Sequence, residues 1–264
     1  MIHRWFDRFT QQPLPASAWQ AAQSRVALLT TLDEADAERL SQRAWHFLQH
    51  KRITLHSDLR ETPFDLAAQL ALAGQACLLT LGWTEAEHLE AFANVHEIII
   101  LPDGFSREVE EVDEMGVVHL YSDTLAGETS YQGAVIVSFT DLMKSGDFSG
   151  SNVLIHELAH KLDMGNSMDI DGFPPLPRDI SPSEWHQVFT SVWDDLNQRL
   201  TRGEVTPIDD NAASHPGECY AVCCELFFSD PITLEAAYPA LYALLCRYFN
   251  QQPLKRLLDK ESPQ

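Results

Sequence analysis

Apolar residues recur three and four positions apart through the first third of the chain, the spacing of helices with one buried face. Residues 18–29 form one such segment. Asp33 or Thr31 can cap a long second helix whose apolar set includes Leu40, Trp45, Phe47 and Leu48. Pro63 opens a third over residues 64–81, which stops at Gly82. The period then changes. Residues 95–101 are a compact apolar run bounded by Pro102, Asp103 and Gly104, and residues 117–121 and 134–139 read as two further strands. The acidic stretch between the first two, with Glu108, Glu110, Glu111, Asp113 and Glu114, reads as a solvated loop.

Helical spacing returns with Val153, Leu154, Leu158 and Leu162, behind Ser149 or Ser151 as N-cap. A Gly/Asp/Pro-rich loop over residues 165–182 follows, long enough to wrap a site. Beyond it come an amphipathic helix over 185–200, a polar connector over 205–215, and a helix entered at Pro216 and running to Phe228. The last helical stretch, 234–249, is interrupted at Pro239. The pattern predicts an α+β fold, with a small mixed sheet packed beside the helix of residues 153–162 and additional N-terminal helices. Residues 1–94 are expected to be a helical region packed on a catalytic part spanning 95–264, the whole forming one unit.

Composition narrows the functions. A chain of 264 residues that is 45% hydrophobic can bury a substantial core. Its net charge of −21 repels phosphate backbones and anionic lipid, so neither nucleic acid nor a membrane surface is an expected partner. Residues 1–14 contain no apolar run of the kind a secretory signal needs. The most apolar stretch, 66–81, is interrupted by Gln69, Gly74 and Gln75 and is short for a bilayer span. Five cysteines without framework spacing fit reduced thiols and a cytoplasmic location.

Candidate chemistry concentrates at His156-Glu157-Leu158-Ala159-His160. On a helix, residues four apart share a face, so both imidazoles can reach one small cation. Glu157 points about a quarter-turn away, near enough to take a proton from water activated by that cation without being a ligand. Tetrahedral zinc, one per chain, would still need a third protein ligand. A third histidine six residues on is excluded, because Asn166 stands there and Asp163 replaces the accompanying glycine. The candidates that remain are Asp169, Asp171, Glu218 and Glu225. The two aspartates sit in the Gly-rich loop and suit turns. Glu218 and Glu225 share one face of an apolar helix, where an unpaired charge is costly. Glu218 is the expected ligand. Glu225 is the expected hydrogen-bond partner of a histidine, with Asp163 its competitor. Such a set would hydrolyse a peptide amide, and an edge strand at 134–139 could hold the extended substrate.

Several segments together resemble the Mlc titration factor A family, bacterial zinc peptidases related in their catalytic domain to anthrax lethal factor. They are I-H-E-L-A-H-K-L-D (155–163), N-A-A-S-H-P-G-E-C-Y-A-V (211–222), G-E-T-S-Y-Q-G-A-V-I-V-S (127–138) and the stretch 238–254. The resemblance implies a zincin-like (gluzincin) domain with zinc on His156, His160 and Glu218, and Glu157 as general base. It implies aminopeptidase-like activity and, as a partner besides peptide substrates, a transcriptional repressor of the Mlc type. One position departs from the family's pattern. A tyrosine that hydrogen-bonds the oxyanion usually stands seven residues before the third ligand, and here Asn211 takes its place; its amide can donate but is shorter and far less acidic.

Overall fold

Ile98 and Ile100 on one strand, and Val135 and Val137 on its neighbour, are wholly buried. The sheet they belong to orients the candidate chemistry. The structure is a computed structural model describing residues 13–112, 118–125, 127–129 and 133–261. In chain order the helical start comprises α1 (Ala16–Arg25), α2 (Glu34–His50), β1 (Arg52–Leu55), α3 (Leu66–Leu78) and α4 (Glu85–Ala91). The sheet region follows with β2 (Glu97–Leu101), β3 (Phe105–Val112), β4 (Val118–Leu125), β5 (Gly127–Glu128), β6 (Val135–Ser138) and α5 (Phe139–Lys144). Six helices complete the described chain: α6 (Val153–Asp163), α7 (Pro182–Thr201), α8 (Pro216–Ser229), α9 (Pro231–Ala237), α10 (Pro239–Phe249) and α11 (Pro253–Glu261).

The architecture is helix-rich α+β. One sheet runs β1-β2-β6-β5: the first three strands are parallel, and β5 runs antiparallel to β6 at the edge. Ile98 pairs with Val135 and Ile100 with Val137, so one apolar face is continuous across the sheet. α6 lies against β5 and β6, with α3 and α8 also packed on it. Nearly every residue of α6 is therefore buried, the polar Glu157, His160, Lys161 and Asp163 included. Among the described residues no helix is long and apolar enough to cross a membrane.

Several expectations need correction. The first helix ends at Arg25, because Val26 is extended, and a 3-10 turn over Ala27–Thr31 continues the segment. Asp33, rather than Thr31, caps α2. Helix α3 begins two residues later than the start predicted at Phe64; the Asp65 carboxylate accepts from the Ala68 N–H at 2.8 Å and fixes that start. Strand β1 had no sequence signal beyond four residues. The acidic stretch is not a loop over 105–112: β3 pairs antiparallel with β4, a two-stranded ribbon that needs no continuous apolar face. Asp113, Glu114 and Val117 lie outside the described residues. Strand β6 is not an edge, since β2 covers one side of it and β5 the other. Among the described residues, the edge strand on that side of the sheet is β5.

Neither predicted serine caps α6. Asn152 does, with Oδ1 accepting from the Ile155 N–H at 3.1 Å while Nδ2 donates to buried Gln75 Oε1 on α3 at 2.8 Å. One side chain thus starts the helix and ties it to the helical N-terminal part. Loss of a cap costs about 1 kcal/mol, and stranding a buried acceptor adds about as much again. Asn152→Ala is therefore expected to lower stability by about 2 kcal/mol, read from the midpoint of denaturant unfolding.

Candidate metal centre

Helix α6 presents His156 and His160 one turn apart, with ring centroids 4.9 Å from each other and planes nearly perpendicular. Helix α8 supplies the opposing carboxylates. It starts at Pro216, whose missing N–H suits a first turn, behind His215, whose Nδ1 accepts from the Gly217 N–H at 3.2 Å. Glu218 in that first turn reaches both imidazoles: Oε2 lies 3.2 Å from His156 Nε2, and Oε1 lies 3.3 Å from His160 Nε2. Ligand atoms of the three residues all fall within 4.8 Å of one another.

These separations fit a small cation. Donors about 2.0–2.2 Å from one tetrahedral centre stand roughly 3.3–3.6 Å apart, close to the two imidazole–carboxylate distances. Two imidazole nitrogens and a carboxylate are also the donor types borderline metals such as zinc favour. Two turns along α8, Glu225 Oε2 lies 3.2 Å from His156 Nδ1, and its other oxygen accepts from the Asn152 N–H. His156 is thus held between two carboxylates of one helix. Asp163 does not compete for that contact: its Oδ2 accepts from the Gly172 N–H at 2.8 Å. That bond, and the one from Trp185 Nε1 to Gly172 O at 2.9 Å, pin the loop of residues 165–182 to α6 and α7. Asp169 and Asp171 stay exposed in the loop, where their hydrogen bonds are local ones.

The electrostatics follow from burial and pairing. Burial alone would lower the His156 pKa, but Glu218 and Glu225 outweigh it and push the imidazolium up to about 10. Burial wins at His160, whose pKa is lowered. The Glu218 carboxyl, desolvated yet facing both rings, is held well below the usual carboxylate range. A cation entering between the rings must therefore displace a proton from His156.

Glu157 is 5% exposed, and its carboxylate lies under the edge strand. A Cβ on Gly127 of β5 would run into the Glu157 side chain, so any larger residue there would force that carboxylate to move. Sequence reasoning missed this glycine, and it missed Lys161. That lysine is wholly buried, and its ammonium donates to Gly133 O at 3.0 Å and Asn94 O at 3.3 Å, bracing α6 against the approaches to β6 and β2. Burial draws its pKa down to about 8, against the opposing charge of Glu157. A lysine inside an apolar helical stripe was the available signal. Asn211 also lies at the site, its Nδ2 donating to Glu218 Oε2 at 2.9 Å. Tyr220 does not: its ring packs on Trp185 and Phe189, and its hydroxyl donates to Tyr248 in the core. Tyr131, the other tyrosine near the site in sequence, lies outside the described residues.

An H-E-x-x-H helix packed directly against a glutamate-bearing helix, beside a small sheet, marks a metallopeptidase-type centre. Comparison with known proteins makes the class specific. Residues 2–250 match the glucose-regulated metallo-peptidase M90 family. The chain is 37% identical over 237 residues to the protein named Mlc titration factor A of Edwardsiella ictaluri (strain 93-146), covering 88% of this chain and 87% of that one. A protein of the same name from Yersinia pestis (strain Pestoides F) is 37% identical over 235 residues, covering 88% and 84%. The chain belongs to this family, that of Mlc titration factor A.

Asp163 gives a pH test of the site's underside. Burial raises its pKa to about 7, so the folded state binds this proton more tightly than the unfolded chain does. The contribution to stability is full below about pH 4, falls as the pH rises through about 7, and is flat beyond. Asp163→Asn keeps an oxygen for the Gly172 N–H and loses the titration. In metal-free protein the stability of wild type relative to this variant is expected to fall between about pH 4 and pH 8, as read by denaturant unfolding at each pH.

Proposed function

We propose that the protein is a zinc-dependent metallopeptidase of the gluzincin kind, aminopeptidase-like, acting on peptide amides in the cytoplasm. The observation that carries this reading is the fit of His156, His160 and Glu218 around one cation-sized space, with the Glu157 carboxylate beside them under the sheet edge. Membership of a metallopeptidase family supports it, and free cysteines support a reducing compartment.

In this reading His156, His160 and Glu218 hold the metal, which when bound supplies Lewis acidity and lowers the pKa of water. Glu157 accepts the proton of the attacking water and passes it to the leaving amine. Its low exposure keeps bulk water from competing. Glu225 holds the His156 ring in place through Nδ1. An extended substrate can pair with the free edge of β5, which brings its backbone across the Glu157 carboxylate.

The name of the relatives supports a second activity, binding of a transcriptional repressor of the Mlc type. An equilibrium binding assay with such a repressor tests it. Binding that persists in a peptidase-dead variant would make the two activities separable.

Glu157→Gln is expected to keep stoichiometric zinc and to lose peptide hydrolysis by at least about 100-fold on an aminoacyl-nitroanilide panel. Wild-type turnover in that variant would remove Glu157 as the base. Glu218→Ala should lose the metal by elemental analysis. Gly127→Ala pushes a methyl group into the Glu157 carboxylate; turnover should fall about tenfold or more, with zinc affinity little changed.

A further inference from the structure

Asn211 occupies the position at which the family resemblance implies an oxyanion donor, yet its amide is turned to the glutamate. Nδ2 donates to Glu218 Oε2 at 2.9 Å. The amide is itself held. The Asn211 N–H donates to Asp209 Oδ1 at 2.9 Å, and Ser214 Oγ lies 2.7 Å from Asn211 O and 3.2 Å from its Oδ1. These bonds shape the 3-10 turn Asp210–Ala213, which buried Ala212 and Ala213 seat against α7 and α8.

The Glu218 carboxylate has three side-chain contacts among the described residues: His156, His160 and Asn211. A cation between the rings would replace the first two. The third remains as the carboxylate's side-chain partner, so the amide would order the carboxylate before and during metal binding. A glutamate has three side-chain torsions, and leaving them free would cost affinity each time a ligand oxygen had to be ordered.

We propose that Asn211 is a positioning residue for the metal, holding the third ligand in its binding orientation so that its principal effect is on metal affinity. This rests on the reading of His156, His160 and Glu218 as the metal site. The charge of the carboxylate is preserved because the amide donates a hydrogen bond without introducing a proton that titrates. A tyrosine here could also donate; the asparagine differs in being short enough to stay within the turn that Ser214 closes.

The test is a chelator-competition titration of zinc into metal-free protein, read as affinity without any assay of turnover. Asn211→Ala and Asn211→Leu should weaken zinc binding about 10–100-fold, the range for loss of an outer partner of a metal ligand. Asn211→Gln, which keeps the donor, should recover part of that loss. Unfolding midpoints of the metal-free variants should match wild type. If the Ala variant melts early, the Leu and Gln pair decides, because the two are similar in size and differ in the amide donor. Wild-type affinity in both Ala and Leu variants overturns the proposal, and so does equal weakening in Leu and Gln. A Glu218→Ala control separates the two layers of the argument. If it binds zinc as wild type does, the ligand assignment fails; if it loses zinc while Asn211→Leu keeps full affinity, only the positioning role fails.

Discussion

The clamp on His156 is the contact on which the rest depends. One imidazole, partly buried, is held between the carboxylates of Glu218 and Glu225 on a single helix. Neither the ring's charge nor the carboxylates' is tolerable alone in that environment, and each is stabilised only by the others. Helices α6 and α8 are brought together by apolar packing, but their register is set by this line of charge. Asn152 extends the line, since its N–H meets the far oxygen of Glu225 while its side chain caps α6 and grips Gln75 on α3. Start of helix, seam between helices and candidate ligand set are therefore one continuous network.

The sheet contributes a different kind of constraint. β5 passes so close to Glu157 that a side chain at Gly127 would displace the carboxylate, and the buried Lys161 ammonium holds the backbone leading into β2 and β6. The general-base candidate thus has a strand on one side and a fixed cation in its surroundings. Polar groups buried at this density either find partners or destabilise the fold. Among the described residues, His160 Nδ1 and Asp163 Oδ1 are two of the few buried polar side-chain atoms without a hydrogen-bond partner.

Much of the site was legible because its signals are local. Spacing of four put both histidines on one helix face, and two glutamates seven apart on an apolar helix announced a buried charge in need of a partner. The structure brings those four side chains together. Glu225 is the partner of His156, as its place on the apolar helix suggested, while the competing Asp163 is captured by the Gly172 N–H across a loop. What failed was non-local. The sheet edge was misassigned to β6 because a two-residue strand, β5, carries no periodicity, and the acidic hairpin strand β3 was hidden by its charge. Gly127 and Lys161 acquire meaning only from what crosses them.

Helix α8 also bears Cys219, Cys223 and Cys224, the softest donors near the Glu218 side of the cleft, and all three are buried. Cys223 is held as a neutral thiol by its contact with Cys219 and by burial, and Cys224 chiefly by burial with the charge of Asp163 adding to it; both pKa values are raised well above the ordinary range. Metals that favour thiolate, such as monovalent copper, are therefore denied their preferred ligands on the very helix that carries the carboxylate. The clustered donors of His156, His160 and Glu218 are nitrogen and oxygen. The packing of one helix thus sets two kinds of donor apart: a carboxylate turned toward the paired imidazoles, and thiols kept neutral inside the core.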